Sequence, residues 1–171
     1  VTDIMAAGYK AQYAVDAWNA FYADEQKVNK QFAQMNVPAQ YAILLTNKDT
    51  IPTVYYGDLY NETRSYMTSK SIYYNAITNL LKARKKYVAG GQTMATPSTD
   101  KNLLISVRLG KGVKDINSTS NDPLARTTGM VVVVSNKSSM PQQFVKINVG
   151  KEHAGQKFIN IMDTTKSTAD G

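Results

Sequence analysis

The sequence predicts a mixed fold, in which an α/β half is followed by an all-β half with the change near residue 95. Three observations lead to this prediction. Apolar residues recur at helical spacing in three segments before residue 95, and one short β-rich run interrupts them. Four short β-rich runs follow, separated by Gly, Asn, Ser and Pro. This order is typical of a β/α unit joined to an antiparallel β domain.

Two helices are predicted in the first part of the chain. One has an apolar face at positions i, i+3, i+4 and i+7, formed by Ala14, Ala17, Trp18 and Phe21. The second corresponds to NVPAQYAILLTNK, where Asn36 is the expected N-cap and Pro38 lies in the first turn.

The stretch IPTVYYGDLY, from Ile51 to Tyr60, predicts a buried strand around Thr53 to Tyr56. Pro52 stands at its start, where a missing N–H is tolerated. A glycine and an acid then end the run abruptly. In a β/α barrel the carboxyl end of a strand faces the active site. The stretch is therefore predicted to be either the last element of a core or the rim of a pocket.

A third helix is predicted after this strand, with Ser71 as its cap and the two glycines Gly90 and Gly91 as a left-handed C-cap. Its apolar stripe consists of Tyr73, Ala76, Ile77, Leu80 and Leu81. Beyond residue 95, the runs LLISVRLG, GMVVVVSN, QFVKINVG and QKFINIMD predict antiparallel strands. We expect these strands to pack on the helical half without completing a barrel.

The composition excludes several classes of function. The net charge is +7, but the lysines are scattered except in KARKKY, which ends a helix and favours a solvated terminus over a nucleic-acid site. There is no cysteine, so disulfides and thiol catalysis are excluded. No apolar run approaches the roughly 18 residues that membrane insertion requires. The chain begins at Val1, without a methionine or the basic segment that opens a signal peptide, which indicates a piece excised from a longer protein.

Short motifs for metal or phosphate binding are incomplete. DINSTSND has calcium-loop spacing, but Ser120 stands where glycine is required and Arg126 where a bidentate glutamate is required. GKG, at 110–112, lacks the rest of a phosphate loop and predicts a β-turn. His153 is the only histidine and is expected to be exposed. No histidine metal site or Ser/His/Asp triad can be built, so no metal ligand is predicted.

The acids leave one candidate for a site. Asp58 follows the predicted strand, whereas the acids expected to be solvated on helices or loops are Asp24, Glu25, Asp49 and Glu62. Glycoside chemistry needs two carboxylates across a sugar ring, roughly 5–10 Å apart. No second carboxylate is evident, so no catalytic residue is assigned to this chain.

NKDTIPTVYYGDLY together with KSIYYNAITNLLKARKKYVAGGQTM closely resembles the glucansucrase family of glycoside hydrolases. These are large secreted α-glucosyltransferases of lactic acid bacteria, related to α-amylases. The resemblance is strong from about Asn36 to Met94. It continues more weakly through SVRLGKG, ARTTGMVVVVSN and GKEHAGQKFINIMDTTKSTADG, and so covers nearly the whole chain.

The resemblance implies a circularly permuted β/α barrel. Residues 1–95 would be its C-terminal part, with the last strand and its helices, and residues 96–171 the start of the β-sheet domain C. The family's nucleophilic aspartate, acid/base glutamate and transition-state aspartate lie on earlier strands and have no matching motif here. No cofactor is implied for this segment, and any calcium of the full-length enzyme would be held by residues elsewhere.

The resemblance also implies roles for the YYGD motif. Tyr56, Asp58 and Tyr60 would lie at the rim of the substrate pocket, and Tyr55 and Gly57 would support them structurally. For Asp58, a role as a structural hydrogen-bonding anchor of the barrel mouth is favoured over direct lining of the sugar pocket. Glycine at that point suits a close backbone approach or a turn with positive φ. The family usually has arginine where this chain has Thr53, and an Asp-Asp-Gly loop where it has NETRSYM. These departures leave the choice between sucrose and an α-1,4-glucan as donor open.

The leading hypothesis is a segment of a retaining α-glucosyltransferase, acting on sucrose or an α-glucan donor with a glucan acceptor and together with the remainder of its polypeptide. The alternatives are an α-1,4-glucanotransferase or α-amylase-type hydrolase, and a non-catalytic carbohydrate-binding module. Trp18, the only tryptophan, lies in the helical half, which disfavours a binding module in the β half. The resemblance implies a secreted bacterial protein, with cell-wall association left open. The scattered charge and the short apolar runs predict no nucleic-acid partner and no membrane insertion.

Overall fold

A computed structural model describes residues 6, 8, 10–27, 29–31, 36–61, 67–137 and 144–162. The chain divides into two compact units, Val1–Asn36 and Val37–Gly171. The change of architecture predicted near residue 95 therefore falls inside the second unit, and the domain boundary at that point stays a prediction.

The first unit contains helix α1, Ala11–Glu25, which confirms the first predicted helix. Its expected apolar face is not buried, since Trp18 is 52% exposed and Phe21 is 38% exposed. The aromatic side chains contact one another instead, with Trp18 edge-on to Tyr22 at 5.2 Å between ring centroids. Asp24, predicted to be solvated, is the buried residue of α1, and both carboxylate oxygens accept the N–H of Gln31 at 2.9 and 2.8 Å. The helix itself was predicted correctly from its apolar spacing. Which of its faces is buried was not predicted, because burial depends on another part of the protein packing against that face.

The second unit contains three helices within its described residues: α2 at Val37–Thr46, α3 at Tyr56–Leu59 and α4 at Tyr74–Tyr87. Helices α2 and α4 confirm the second and third predicted helices. In α4, Ile77, Leu80 and Ala83 are buried, whereas Leu81 lies at the margin of the stripe and is exposed. The glycine C-cap was wrong in detail. Helix α4 ends at Tyr87, and Gly90 takes its positive φ of 76° in the turn beyond.

The strand predicted around Thr53 to Tyr56 is absent from this structure. Residues 51–55 belong to no described strand, and Tyr56–Leu59 forms one turn of α3. Ile51 at the start of the run is fully exposed. A β-strand is stable only when a neighbouring strand pairs with its backbone, and none of the described residues pairs with 51–55. The β-branched pattern was therefore misleading.

The described residues contain three strands: β1 at Gln92–Ala95, β2 at Leu103–Arg108 and β3 at Met130–Ser135. They form one antiparallel sheet in the order β1, β2, β3. The sheet confirms the antiparallel prediction for LLISVRLG and GMVVVVSN. The other two β-rich runs form no strand at 144–150 or 156–162, and only a 3₁₀ turn, Lys151–His153, lies between them. Phe144 and Ile159 are largely exposed, whereas Val145 and Ile147 are partly buried against the cluster that contains Ile105. None of the described strands pairs with either run, so neither run forms a strand.

The main core lies between α2, α4 and the sheet. Its buried members are Val37, Tyr41, Ala42, Leu45, Tyr73, Ile77, Leu80 and Val132. Val132 belongs to β3, so the sheet packs on the helices as predicted. A second cluster consists of Ile105, Val107, Leu109, Val113 and Ala125.

Two arginines bind the carboxyl end of α2. Arg108, on β2, donates from Nη1 to the carbonyl oxygen of Thr46 and from Nη2 to that of Gly90, both at 2.8 Å. Arg84, on α4, donates to the carbonyl oxygen of Leu45. The last carbonyls of a helix lack partners within it and carry partial negative charge, so cations stabilise this end. Burial, together with the charge of Arg84, lowers the pKa of Arg108.

Candidate functional site

The candidate site lies around Asp58, in the single turn of α3. Tyr55 is extended, with φ −74° and ψ 134°, and the chain turns helical immediately afterwards. The N–H of Asp58 donates to the carbonyl oxygen of Tyr55 at 3.2 Å, and that of Tyr60 to Tyr56 at 3.0 Å. Asp58 is half-buried. The turn thus places the Asp58 carboxylate three residues after the extended residue Tyr55.

Tyr41 of α2 holds this carboxylate. Its hydroxyl donates to Oδ2 of Asp58 at 2.5 Å, and the hydroxyl oxygen of Tyr41 accepts the backbone N–H of Tyr55 at 3.0 Å. Burial, followed by the hydrogen bond to Asp58, raises the pKa of Tyr41. The sequence reasoning missed Tyr41, because in NVPAQYAILLTNK its ring is one apolar residue among several. Only the fold shows that its hydroxyl reaches a residue 17 positions later.

Ser71 fixes the backbone of the turn from the other side. Its hydroxyl donates to the carbonyl oxygen of Asp58, and its N–H donates to that of Leu59 at 2.9 Å. The hydroxyl oxygen also accepts the N–H of Tyr73 at 3.1 Å. Ser71 was predicted to cap α4, but the helix begins later, at Tyr74. Its side chain instead ties the approach to α4 to the turn that carries Asp58.

Aromatic rings surround the turn. Tyr56 stacks on Tyr60 with 5.3 Å between ring centroids, and Tyr74 meets Tyr60 edge-on at 5.3 Å. The ammonium group of Lys70 lies 4.3 Å from the ring centroid of Tyr74. Tyr60 is buried, whereas Tyr55 is 67% exposed. The predicted rim residues Tyr56, Asp58 and Tyr60 are therefore brought together in this structure, and their contact with a substrate stays a prediction.

Glycine at position 57 is explained by a close contact and not by a positive φ. It is not among the glycines with positive φ, so that part of the prediction was wrong. A Cβ at this position would lie 2.5 Å from Cε1 of Tyr55. The close approach is therefore made by an aromatic side chain. Glycine allows the Tyr55 ring to lie against the turn.

Other predicted features lie away from this turn. GKG forms a turn in which the N–H of Val113 donates to the carbonyl oxygen of Gly110 at 3.1 Å, and DINSTSND is a polar surface loop, as predicted. His153 was predicted to be exposed but is 3% exposed. Its Nε2 lies 3.0 Å from the carbonyl oxygen of Leu109 and its Nδ1 lies 2.6 Å from Oε1 of Gln156. Contact with the distant residue Leu109 accompanies the burial of the ring, and the charged residues beside His153 in the sequence did not indicate this burial.

The chemistry available at the turn is that of one carboxylate among aromatic rings. Within the described ranges no group of three or more His, Cys, Asp or Glu side chains could hold a metal ion. No helix in the described part of the chain is long and apolar enough to cross a membrane. A carboxylate with one oxygen held by a tyrosine can accept a hydrogen bond from a ligand hydroxyl through the other.

Comparison with known proteins gives a consistent family. The model of glycosyl hydrolase family 70 matches residues 5–170. Glucosyltransferase-I of Streptococcus downei is 42% identical over 166 residues, which cover 94% of this chain and 10% of that protein. Glucosyltransferase-S of Streptococcus mutans serotype c is 37% identical, over 88% of this chain and 11% of its own length. The chain thus spans about a tenth of the length of these relatives.

Solved structures agree with the sequence relatives. Truncated alternansucrase from Leuconostoc mesenteroides NRRL B-1355 matches 85% of this chain and 14% of its own, with a TM-score of 0.71 and 38% identity. Alternansucrase in complex with isomaltononaose matches 80% of this chain and 12% of its own, with a TM-score of 0.71 and 41% identity.

Proposed function

Since the chain belongs to glycosyl hydrolase family 70, which confirms the glucansucrase resemblance, we propose that it is a segment of a retaining α-glucosyltransferase. The enzyme would transfer glucosyl units from sucrose or an α-glucan donor to a growing α-glucan. The family match over residues 5–170 carries this proposal. The names of the relatives, glucosyltransferase and alternansucrase, favour transfer over hydrolysis, and the complex with isomaltononaose favours a glucan acceptor.

The reaction would be a double displacement. A carboxylate nucleophile takes the glucosyl group from the donor while an acid protonates the leaving oxygen. A hydroxyl group of the acceptor glucan then attacks the glucosyl-enzyme, and the former acid takes up its proton. A retaining pair of carboxyl groups lies about 5–5.5 Å apart. This chain contributes Asp58, and we assign the nucleophile and the acid/base residue to other segments of the enzyme.

In this proposal residues 1–95 are the C-terminal part of a circularly permuted β/α barrel and residues 96–171 begin domain C. Tyr56, Asp58 and Tyr60 lie at the rim of the substrate pocket, with Tyr55 and Gly57 supporting the turn. The extended stretch before α3 would pair as the last barrel strand once the neighbouring strand is present. Any calcium would be bound by residues outside this chain, and the enzyme would be secreted.

The test is to express the full-length protein that carries this segment and to supply sucrose or an α-1,4-glucan as sole donor. Fructose release with growth of an α-glucan would support transfer from sucrose, and elongation from the α-1,4-glucan alone would assign the other donor. Release of free sugar without any glucan product would refute the transferase proposal. Residues 1–171 alone are expected to release no sugar and to melt without a sharp cooperative transition.

A further inference from the structure

We propose that Tyr41 is a positioning residue, which holds Oδ2 of Asp58 and leaves Oδ1 to accept a hydrogen bond from a hydroxyl group of the bound sugar. This inference rests on the proposed function of the segment, because it concerns the same turn. It adds a residue from a different helix and states which carboxylate oxygen serves the ligand.

The hydrogen-bond pattern fixes the direction of the tyrosine proton. A phenol has a single O–H, and it also accepts hydrogen bonds. The backbone N–H of Tyr55 can only donate, so at 3.0 Å it occupies the acceptor side of the Tyr41 oxygen. The one proton is therefore directed to Asp58, 2.5 Å away. A short contact of this kind to a carboxylate belongs to the stronger class of hydrogen bonds.

The backbone of Asp58 is also held by hydrogen bonds. Its N–H is bonded to Tyr55 and its carbonyl oxygen accepts the hydroxyl of Ser71. Tyr41 itself is anchored in the main core, where its ring is buried. Among the described residues, no hydrogen bond ends on Oδ1 of Asp58. The carboxylate is thus held at its backbone and at one oxygen, and the second oxygen is the one available to a ligand.

The aromatic surroundings of the turn suit a polar, neutral ligand. Exposed or half-exposed tyrosines flank the turn, and tyrosine combines an apolar face with a hydroxyl group. A sugar ring presents the same combination, with C–H faces and hydroxyl donors. A site that hydrogen-bonds a substrate hydroxyl discriminates strongly against analogues that lack it, because the buried polar group is otherwise left unpaired. We therefore expect the Tyr41–Asp58 pair to contribute to recognition of one hydroxyl of the glucosyl unit.

The experiment is a double-mutant cycle in the full-length enzyme, with kcat and KM measured separately for the donor. The variants are Tyr41→Phe, Asp58→Asn and their combination. Tyr87→Phe is the matched control, because it removes a hydroxyl from α4 that makes no hydrogen bond with the described residues. Each single substitution at the pair is expected to lower kcat/KM about tenfold, as for loss of a hydrogen bond to a charged group. Tyr41→Phe should add almost nothing once Asp58→Asn is present.

Losses that simply multiply in the double variant would overturn the inference, since two independent structural effects behave that way. An unchanged kcat/KM in Tyr41→Phe would overturn it as well. If Tyr41→Phe does not fold, a fluorinated tyrosine at position 41 keeps the ring and the hydroxyl but ionises at lower pH. Activity should then be lost at lower pH than in the unsubstituted enzyme, because a tyrosinate cannot donate to Asp58, and an unmoved profile refutes the proposal. Absence of any transfer by the unsubstituted enzyme would instead refute the proposed function.

Discussion

The substitution Arg108→Met tests how β2 is joined to the carboxyl end of α2. Arg108 donates to the carbonyl oxygens of Thr46 and Gly90, and its side chain is largely buried. Methionine has a similar unbranched stem but no donor. The substitution therefore leaves two carbonyl groups without their partner while keeping much of the packing.

The magnitude follows from two opposing terms. A hydrogen bond from a charged donor contributes about 1.5–3 kcal/mol, so two such bonds are worth about 3–6 kcal/mol. Removal of the guanidinium also removes the cost of burying a charged group. Two observations indicate this cost: burial lowers the pKa of Arg108, and its Nε has no hydrogen-bond partner among the described residues. The net loss of local stability should therefore lie near the lower limit, about 3 kcal/mol. Since 1.4 kcal/mol corresponds to tenfold, local opening should become roughly a hundredfold more frequent.

Amide hydrogen exchange of the full-length protein, followed by mass spectrometry of peptides, measures this opening directly. Faster exchange is expected at Asn47, whose N–H donates to Ile43, and at Gly91, whose N–H donates to Val113. Lys85→Met, an exposed substitution on α4, serves as the control and should leave these amides unchanged. Exchange in Arg108→Met within a factor of three of the control would show that the two bonds contribute little net stability, and would refute the reasoning.

Three further outcomes are expected. Gly90→Ala should destabilise the turn after α4 by at least about 2 kcal/mol, because φ there is 76° and a Cβ would lie 1.8 Å from the carbonyl oxygen of Gly110; unchanged amide exchange in that turn would contradict this. Asp58→Asn should lower activity moderately while leaving measurable turnover, and total loss with an unchanged melting temperature would instead indicate a catalytic carboxylate. Hydrogen bonds from the backbone N–H and then the side chain of Asn102 lower the pKa of Asp100 to about 2. Because the folded value lies below the ordinary 3.8, this contribution is present above pH 3.8 and is lost as the pH falls towards 2. Amide exchange at Asn102, corrected for the intrinsic effect of pH, should therefore become less protected across that interval in the parent but not in Asp100→Asn.

Features set by neighbouring residues were the ones that the sequence predicted well. The period of Ile77 and Leu80 identifies a helix because both residues lie on one face within two turns. The GKG turn was predicted for the same reason, since a β-turn is formed by four consecutive residues and glycine readily adopts the positive φ found at Gly110 and Gly112. Features that depend on distant partners were predicted poorly. His153 is buried because the carbonyl oxygen of Leu109 receives its ring, and nothing beside it in the sequence indicates that contact.

The strand predicted at Thr53 to Tyr56 shows the same limit. A β-branched run indicates that a segment can be extended, but a strand exists only where another strand bonds to it. In this structure the N–H of Tyr55 is satisfied by the hydroxyl of Tyr41 in place of a strand. Tyr55 is nevertheless extended, as a strand residue would be. Pairing in the complete enzyme would need a neighbouring strand, but it would not require Tyr55 to leave its extended conformation.

The environment of Asp58 agrees with the proposal that this acid takes part in binding and not in bond cleavage. A nucleophilic carboxylate in a retaining enzyme must form a covalent bond to the sugar and work with a second carboxyl group about 5–5.5 Å away. Asp58 has one oxygen engaged by Tyr41, which withdraws electron density from the carboxylate and makes it a weaker nucleophile. The same hydrogen bond fixes the carboxylate plane, which favours a directional contact with a hydroxyl group. An oriented acid of this kind agrees with the proposed place of Asp58 at the rim of a sugar pocket, with the displacement steps proposed for carboxylates elsewhere in the enzyme.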